Sequence, residues 1–176
     1  MKKILAISGS TRKQSSNLTI IKKIQELTAD NWEMTICDYP EQLPHYNPDL
    51  DTEVAPELVN AFRKAVSESD GVLICTPEYA MGIPGTLKNA LDWTVSVGSF
   101  SQKAVAVITA SSLGEKAHES LIGTIRIIDA KLPDETTLLI SNIRTKFDAN
   151  GTLIDMDTLA RITTTLQHFG RLLTTS

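Results

Sequence analysis

The sequence is poor in the signatures that announce chemistry at sight. Its two cysteines, Cys37 and Cys75, are too few for a disulfide scaffold, and neither belongs to a Cys-x-x-Cys pair or a Cys/His cluster of zinc spacing. No run approaches the ~20 apolar residues of a membrane span. The apolar stretch at the N-terminus stops at Ile7, too short for the hydrophobic region of a signal peptide. Positive charge is not in excess either. The 17 basic and 21 acidic residues leave a formal net charge of -4, which offers no general attraction to nucleic acid or an anionic membrane. Any anion site must therefore be local, and a reducing, cytoplasmic setting is expected.

Nucleotide fingerprints are missing as well. There is no G-x-x-x-x-G-K-[ST] and no G-x-G-x-x-G at the first turn, which argues against Walker-type phosphoryl transfer. Six residues past Cys75 stands Met81, and six past Cys37 stands Leu43, so a thiolate loop with an arginine at phosphatase spacing is also disfavoured. What remains is the composition of an ordinary soluble domain, 41% hydrophobic and 22% charged over 176 residues, which predicts one packed domain spanning 1–176.

Short β-rich apolar runs alternate with stretches of helical period along the whole chain, the rhythm of an α/β fold with a parallel sheet. The strands are expected at Lys3 to Ser8, Met34 to Asp38, Gly71 to Thr76, Ala104 to Thr109 and Thr137 to Ser141. Helical stripes are Ile20, Ile24, Leu27; Leu58, Phe62, Ala65; Leu87, Ala90, Leu91, Val95; Leu121, Ile125, Ile128; and Leu159, Ile162, Leu166, Phe169, Leu173. Five strands and five helices suit a flavodoxin-like three-layer sandwich with parallel order 2-1-3-4-5, whose ligands bind beyond the carboxyl ends of the strands. Four prolines between Tyr39 and Pro56 predict a long loop after the second strand. Asp148 to Gly151 reads as a turn before the last helix.

Two segments carry candidate chemistry. The first strand runs into Gly9-Ser10-Thr11-Arg12-Lys13-Gln14-Ser15-Ser16-Asn17, with hydroxyls, an amide, two cations and no acid. Helix-start amides, donating hydroxyls and a guanidinium fork together would make a phosphate cup. A polar loop in which Ser15 or Ser16 merely caps the helix fits the same residues. The third strand runs into Pro77-Glu78-Tyr79-Ala80-Met81-Gly82-Ile83-Pro84-Gly85, a rigid loop against which a planar polar ring could lie, or a plain strand-to-helix turn.

The elements Gly-Ser-x-Arg-x-x-Ser-x-Asn at 9–17, Thr-Pro-Glu-Tyr at 76–79 and Pro-Gly-x-Leu-Lys-Asn-Ala-Leu-Asp-Trp at 84–93 resemble the NADPH-dependent FMN reductase family, with its quinone, chromate and azo reductases. The resemblance implies that Ser10, Arg12, Ser15 and Asn17 hold the FMN phosphate, with Thr11 and Ser16 adding contacts. It also implies that Pro77, Glu78, Tyr79 and Ala80 line the isoalloxazine ring and that Ser111 touches it. Two departures stand out: Ala80 where relatives usually have Asn, and Ala110-Ser111-Ser112-Leu113-Gly114-Glu115-Lys116 where a Gly-Gly pair is common.

The implied activity is electron transfer from NADH or NADPH through FMN to a small acceptor (quinone, flavin, azo compound or metal oxyanion), by a homodimer or homotetramer. No catalytic acid or base and no metal is expected, since hydride transfer belongs to the flavin. A flavodoxin-type electron carrier serving protein partners is the rival, disfavoured by the mild charge and by Arg12; a binding module that has lost the cofactor is another. His45, His118 and His168 are scattered and read as surface or satisfied side chains. Asp38 reads as a turn residue, Cys75 as core, and Lys88, Asn89, Asp92 and Trp93 as packing or subunit contacts.

Overall fold

A computed structural model describes residues 1–175. Five parallel strands, β1 (Lys2–Ser8), β2 (Trp32–Cys37), β3 (Gly71–Thr76), β4 (Ala104–Ala110) and β5 (Thr137–Ile140), form one sheet of order β2-β1-β3-β4-β5. Five α-helices connect and close it: α1 (Ser16–Leu27), α2 (Glu57–Glu68), α3 (Gly85–Asp92), α4 (Glu115–Ile127) and α5 (Met156–Thr174). The flavodoxin-like order is the one expected, and each predicted strand lies within two residues of its observed bounds.

Two apolar layers explain why the chain folds this way. On one face of the sheet, Ile20, Ile21 and Ile24 of α1 and Ile162, Leu166, Phe169 and Leu173 of α5 pack on Ile4, Ala6, Leu73 and Ile108. On the other, Val59, Phe62 and Val66 of α2, Leu87, Ala90 and Leu91 of α3 and Leu121 and Ile125 of α4 pack on Leu5, Ile7, Ile74 and Val107. Successive strand residues serve opposite layers, so β3 and β4, at the centre, are buried throughout, as parallel strands covered on both faces must be. Edge strand β2 exposes Glu33 and Thr35.

The helical stripes need three corrections. Leu27 is 44%, Leu58 39% and Val95 55% exposed. In α2 the true stripe is Val59, Phe62, Arg63 and Val66, at i, i+3, i+4 and i+7; an arginine on the apolar face hides it from a hydrophobicity pattern. Leu27 closes α1, and Val95 lies beyond the end of α3.

The proline-rich segment after β2 is a loop stapled to α2 and α3. Asn89 donates through Nδ2 to the Pro44 carbonyl (3.0 Å) and accepts from the Tyr46 amide (2.7 Å), while Trp93 Nε1 donates to the same Pro44 carbonyl (2.8 Å). Tyr46 stands edge-on to Trp93 with ring centroids 5.0 Å apart. Arg63 donates to Asp51 Oδ1 (2.5 Å), to the Trp93 carbonyl (2.7 Å) and to Ser96 Oγ (3.2 Å). Asn89 and Trp93 are therefore packing residues, and Lys88 and Asp92 pair with each other at 2.6 Å along α3. No described helix is long and apolar enough to cross a membrane.

Candidate functional site

The carboxyl ends of β1, β3, β4 and β5 open on one cleft, lined by Ser10, Arg12, Ser15, Ser16, Asn17, Pro77, Glu78, Tyr79, Ala110, Ser111, Ser112, Ile143 and Arg144. Nine of the eleven residues singled out from sequence meet there. Thr11 turns instead into the neighbouring cleft beside Cys37 and Asp38. Ala80 sits at the tip of the loop that Tyr79 begins and does not line the cleft.

The β1–α1 loop starts with a close approach. Gly9 donates its amide to the Cys75 carbonyl at 2.9 Å, and a Cβ at this position would fall 2.7 Å from Thr76 Cβ, so only glycine lets β1 and β3 end side by side. Ser15 is the N-cap of α1, accepting from the Asn17 amide at 3.2 Å. Capping and anion binding do not compete here, because a hydroxyl that accepts from an amide still has its own hydrogen to donate. Ser10, 8% exposed, accepts from the Arg12 amide at 3.4 Å. Among the described residues the Arg12 guanidinium and the Ser16 hydroxyl have no protein partner.

Asn17 is committed more deeply. Its Nδ2 donates to the Ala110 carbonyl at 3.2 Å and its Oδ1 accepts from the Cys75 thiol at 3.3 Å. The side chain thus ties the start of α1 to the ends of β3 and β4. Burial drives the Cys75 thiol far above its ordinary range and pushes Cys37 up to about 11. Neither is a thiolate near neutral pH, so both act as core residues.

Glu78 belongs to the same architecture. Its amide donates to Ser111 Oγ (3.2 Å) and its Oε2 accepts from the Ala117 amide (3.0 Å) in the first turn of α4. One carboxylate from the β3–α3 loop therefore caps a helix that begins after β4, where Gly114 offers no side chain of its own. Beyond it, Tyr79 and Gly82 exchange both backbone hydrogen bonds, Tyr79 N to Gly82 O at 2.9 Å and Gly82 N to Tyr79 O at 3.0 Å. The two residues between them take positive φ, Ala80 at 49° and Met81 at 63°. This is a turn that Asn-Gly would adopt without strain.

His118 donates to or accepts from Thr109 Oγ1 at 2.9 Å, and burial holds its imidazole below the usual range; it is a satisfied histidine, as expected. No group of three or more His, Cys, Asp or Glu among the described residues could hold a metal. Sequence reasoning missed Ser112, Ile143 and Arg144. Ser112 simply follows Ser111 past the end of β4, whereas no motif marks Ile143 and Arg144, which reach the cleft only through the pairing of β5 with β4.

The donor set fits a phosphate ester that carries a planar ring: a capped helix start, hydroxyls and a free guanidinium at one end, and the Pro77–Tyr79 wall beside Ser111 at the other. Comparison with known proteins agrees. Residues 2–145 match the family model described as NADPH-dependent FMN reductase. A 2-hydroxy-1,4-benzoquinone reductase of a Burkholderia species is 30% identical over 95% of this chain and 93% of its own. An NAD(P)H-dependent FMN reductase of Pseudomonas aeruginosa is 32% identical, covering 87% of this chain and 85% of that protein. Among solved structures, the flavoenzyme NAD(P)H:(acceptor) oxidoreductase FerB of Paracoccus denitrificans superposes with a TM-score of 0.81 at 28% identity, over 99% of this chain and 98% of FerB. A chain with this strand order, this polar cleft and this degree of likeness belongs to the NADPH-dependent FMN reductase family.

Proposed function

We propose that the protein is an FMN-dependent oxidoreductase that takes electrons from NADH or NADPH and delivers them to a small acceptor: a quinone, a free flavin, an azo compound or a metal oxyanion. The observation that carries this reading is the pairing, in one cleft, of an anion-binding helix start with an ordered loop wall. FMN held in this cleft would supply the redox chemistry, a ring able to take hydride from a nicotinamide and give electrons to an acceptor.

The chain's own residues bind and orient. Ser10, Ser15 and Ser16 donate hydroxyl hydrogens to the phosphate and Arg12 adds a charge-assisted fork, at the positive end of the α1 dipole. Asn17 holds the floor under the site by its bonds to Ala110 and Cys75. Pro77, Glu78 and Tyr79 form the wall for the ring, kept in place by the Glu78 carboxylate on α4 and by Ser111, with Ala80 in the turn just beyond it. The proton that accompanies hydride in reducing a quinone can come from water at the open cleft, so no side chain is assigned as general acid or base. The exposed apolar Leu50, Val95 and Val97, gathered by the Asp51–Ser96 hydrogen bond of 2.9 Å, support a subunit contact in a cytoplasmic homodimer or homotetramer.

Purified protein stripped of flavin should oxidise NADH or NADPH with a quinone only after FMN is added. Saturable oxidation by the flavin-free protein would overturn the proposal.

A further inference from the structure

We infer that Arg144, in the turn that follows β5, is a second guanidinium contact for the phosphate group of the flavin, working with Arg12 from another wall of the cleft. The inference rests on the reading of this cleft as the FMN site and adds a residue to it.

Of the six arginines in the sequence, three are spent on the protein itself. Arg63 pairs with Asp51, Arg126 with Asp134, and Arg161 donates to the Leu139 carbonyl. Arg12, Arg144 and Arg171 make no side-chain hydrogen bond or ion pair among the described residues. All three are exposed; what sets Arg12 and Arg144 apart from Arg171 on α5 is that they line one cleft. Two free like charges brought together by strands at positions β1 and β5 are unfavourable until something negative joins them. The one acidic residue lining the cleft, Glu78, makes no ion pair with either arginine among the described residues and turns its Oε2 to the Ala117 amide at 3.0 Å, leaving two cationic side chains to one carboxylate.

Arg144 is also held in place. The Asn142 amide donates to the Ser112 carbonyl and the Ile143 amide to the Ser111 carbonyl, each at 3.0 Å, and Ser141 Oγ donates to the Leu113 carbonyl at 2.8 Å. Asn142 takes a positive φ of 52°, which turns the chain so that Ile143 is buried, 5% exposed, and Arg144 follows it at the cleft. This strap fixes the backbone that carries Arg144, so the position from which its side chain reaches the cleft is set before any ligand arrives. A phosphate monoester carries about -1.5 to -2 charges near neutral pH, more than Arg12 alone neutralises.

The test is binding by flavin-free protein, read from flavin fluorescence, with Arg144→Ala, Arg144→Lys and, as reference, Arg12→Ala. Arg144→Ala should weaken FMN roughly tenfold, while riboflavin, which lacks the phosphate, changes less than about twofold. Arg144→Lys should recover part of the loss, because it keeps the charge and loses the fork. If Arg12→Ala separates the two flavins and Arg144→Ala does not, the assignment of Arg144 is wrong and the FMN site stands. If neither variant separates them, the site reading itself fails. Unchanged FMN affinity with a raised KM for NADPH but not for NADH would also overturn the assignment, making Arg144 a contact for the co-substrate.

Discussion

Two loops leave the carboxyl end of the sheet from adjacent strands, and they use the same side-chain chemistry to opposite ends. The loop after β2 is fastened by Arg63 on the Asp51 carboxylate and by Asn89 and Trp93 on the Pro44 carbonyl. The loop after β1 is tied to β3 at its start by the Gly9 amide on the Cys75 carbonyl, is otherwise ordered by short-range bonds, Ser8 with Ser10, Ser10 with Arg12 and Ser15 with Asn17, and leaves its guanidinium without a protein partner. An arginine paired within the protein contributes to stability, whereas one that lines a cleft without a protein partner is available to an anion. The same contrast separates Arg63, 7% exposed, from Arg12 at the cleft rim.

Removing the saturated arginine should give the largest effect. Arg63→Met strands the Asp51 carboxylate, 6% exposed, and frees the proline-rich loop. Breaking a buried pair costs about 3–5 kcal/mol, and the lower figure applies because Asp51 keeps Ser96 and Tyr46 as partners. Thermal melts of the flavin-free variant check this; a loss below about 1 kcal/mol would place the pair among solvent-screened surface bridges. Acid sensitivity follows the same residue. The Arg63 hydrogen bond, ahead of Ser96 and Tyr46, holds the Asp51 carboxyl below its ordinary range. The native state therefore binds fewer protons than the unfolded one just below that range. The stabilisation is complete above about pH 5 and is lost as pH falls through about 4 and below. Arg63→Met should flatten that part of the stability profile.

Arg12→Ala should do the reverse. With no protein partner to lose, the flavin-free variant should melt within about 0.5 kcal/mol of the parent. FMN affinity should fall roughly tenfold to a hundredfold, the scale of a charged hydrogen bond, with riboflavin affinity nearly unchanged. A large stability loss in this variant would erase the contrast between the two loops.

The smallest effect sharpens a related difference, between strained and relaxed turns. Ala80→Asn places a residue tolerant of positive φ at 49° and should raise stability by about 0.5–1 kcal/mol, or roughly 1–4 °C in Tm. FMN affinity should hold or tighten. A lower Tm would mean that relief of backbone strain is not what Asn offers in the relatives.

Much of the site was legible because its residues are close in sequence. The serines, Arg12 and the Pro77–Tyr79 segment follow directly from strand ends, and strand ends follow from apolar runs. Their partners were not legible. Asn17 reads as a phosphate ligand by motif, yet its side chain reaches Ala110, 93 positions away, and Cys75, 58 positions away. Glu78 reads as a ring contact, yet its carboxylate caps a helix 39 positions on. The sequence stripe of α2 passes over Arg63, yet its bond to Asp51 fastens a loop.

Periodicity and turn chemistry by themselves determined the alternation of strands and helices, the parallel sheet and the two loops that bear the cleft, because those properties depend on neighbours within a few residues. Only the tertiary structure decided which polar side chains are consumed by the fold and which remain free. That choice is made by atoms brought together across the sheet, where the sequence distance carries no information. Arg144 shows the consequence: nothing around it in the chain distinguishes it from Arg161 or Arg171, and it becomes a cleft residue solely because β5 pairs with β4 and lashes its following turn to Ser111 and Ser112.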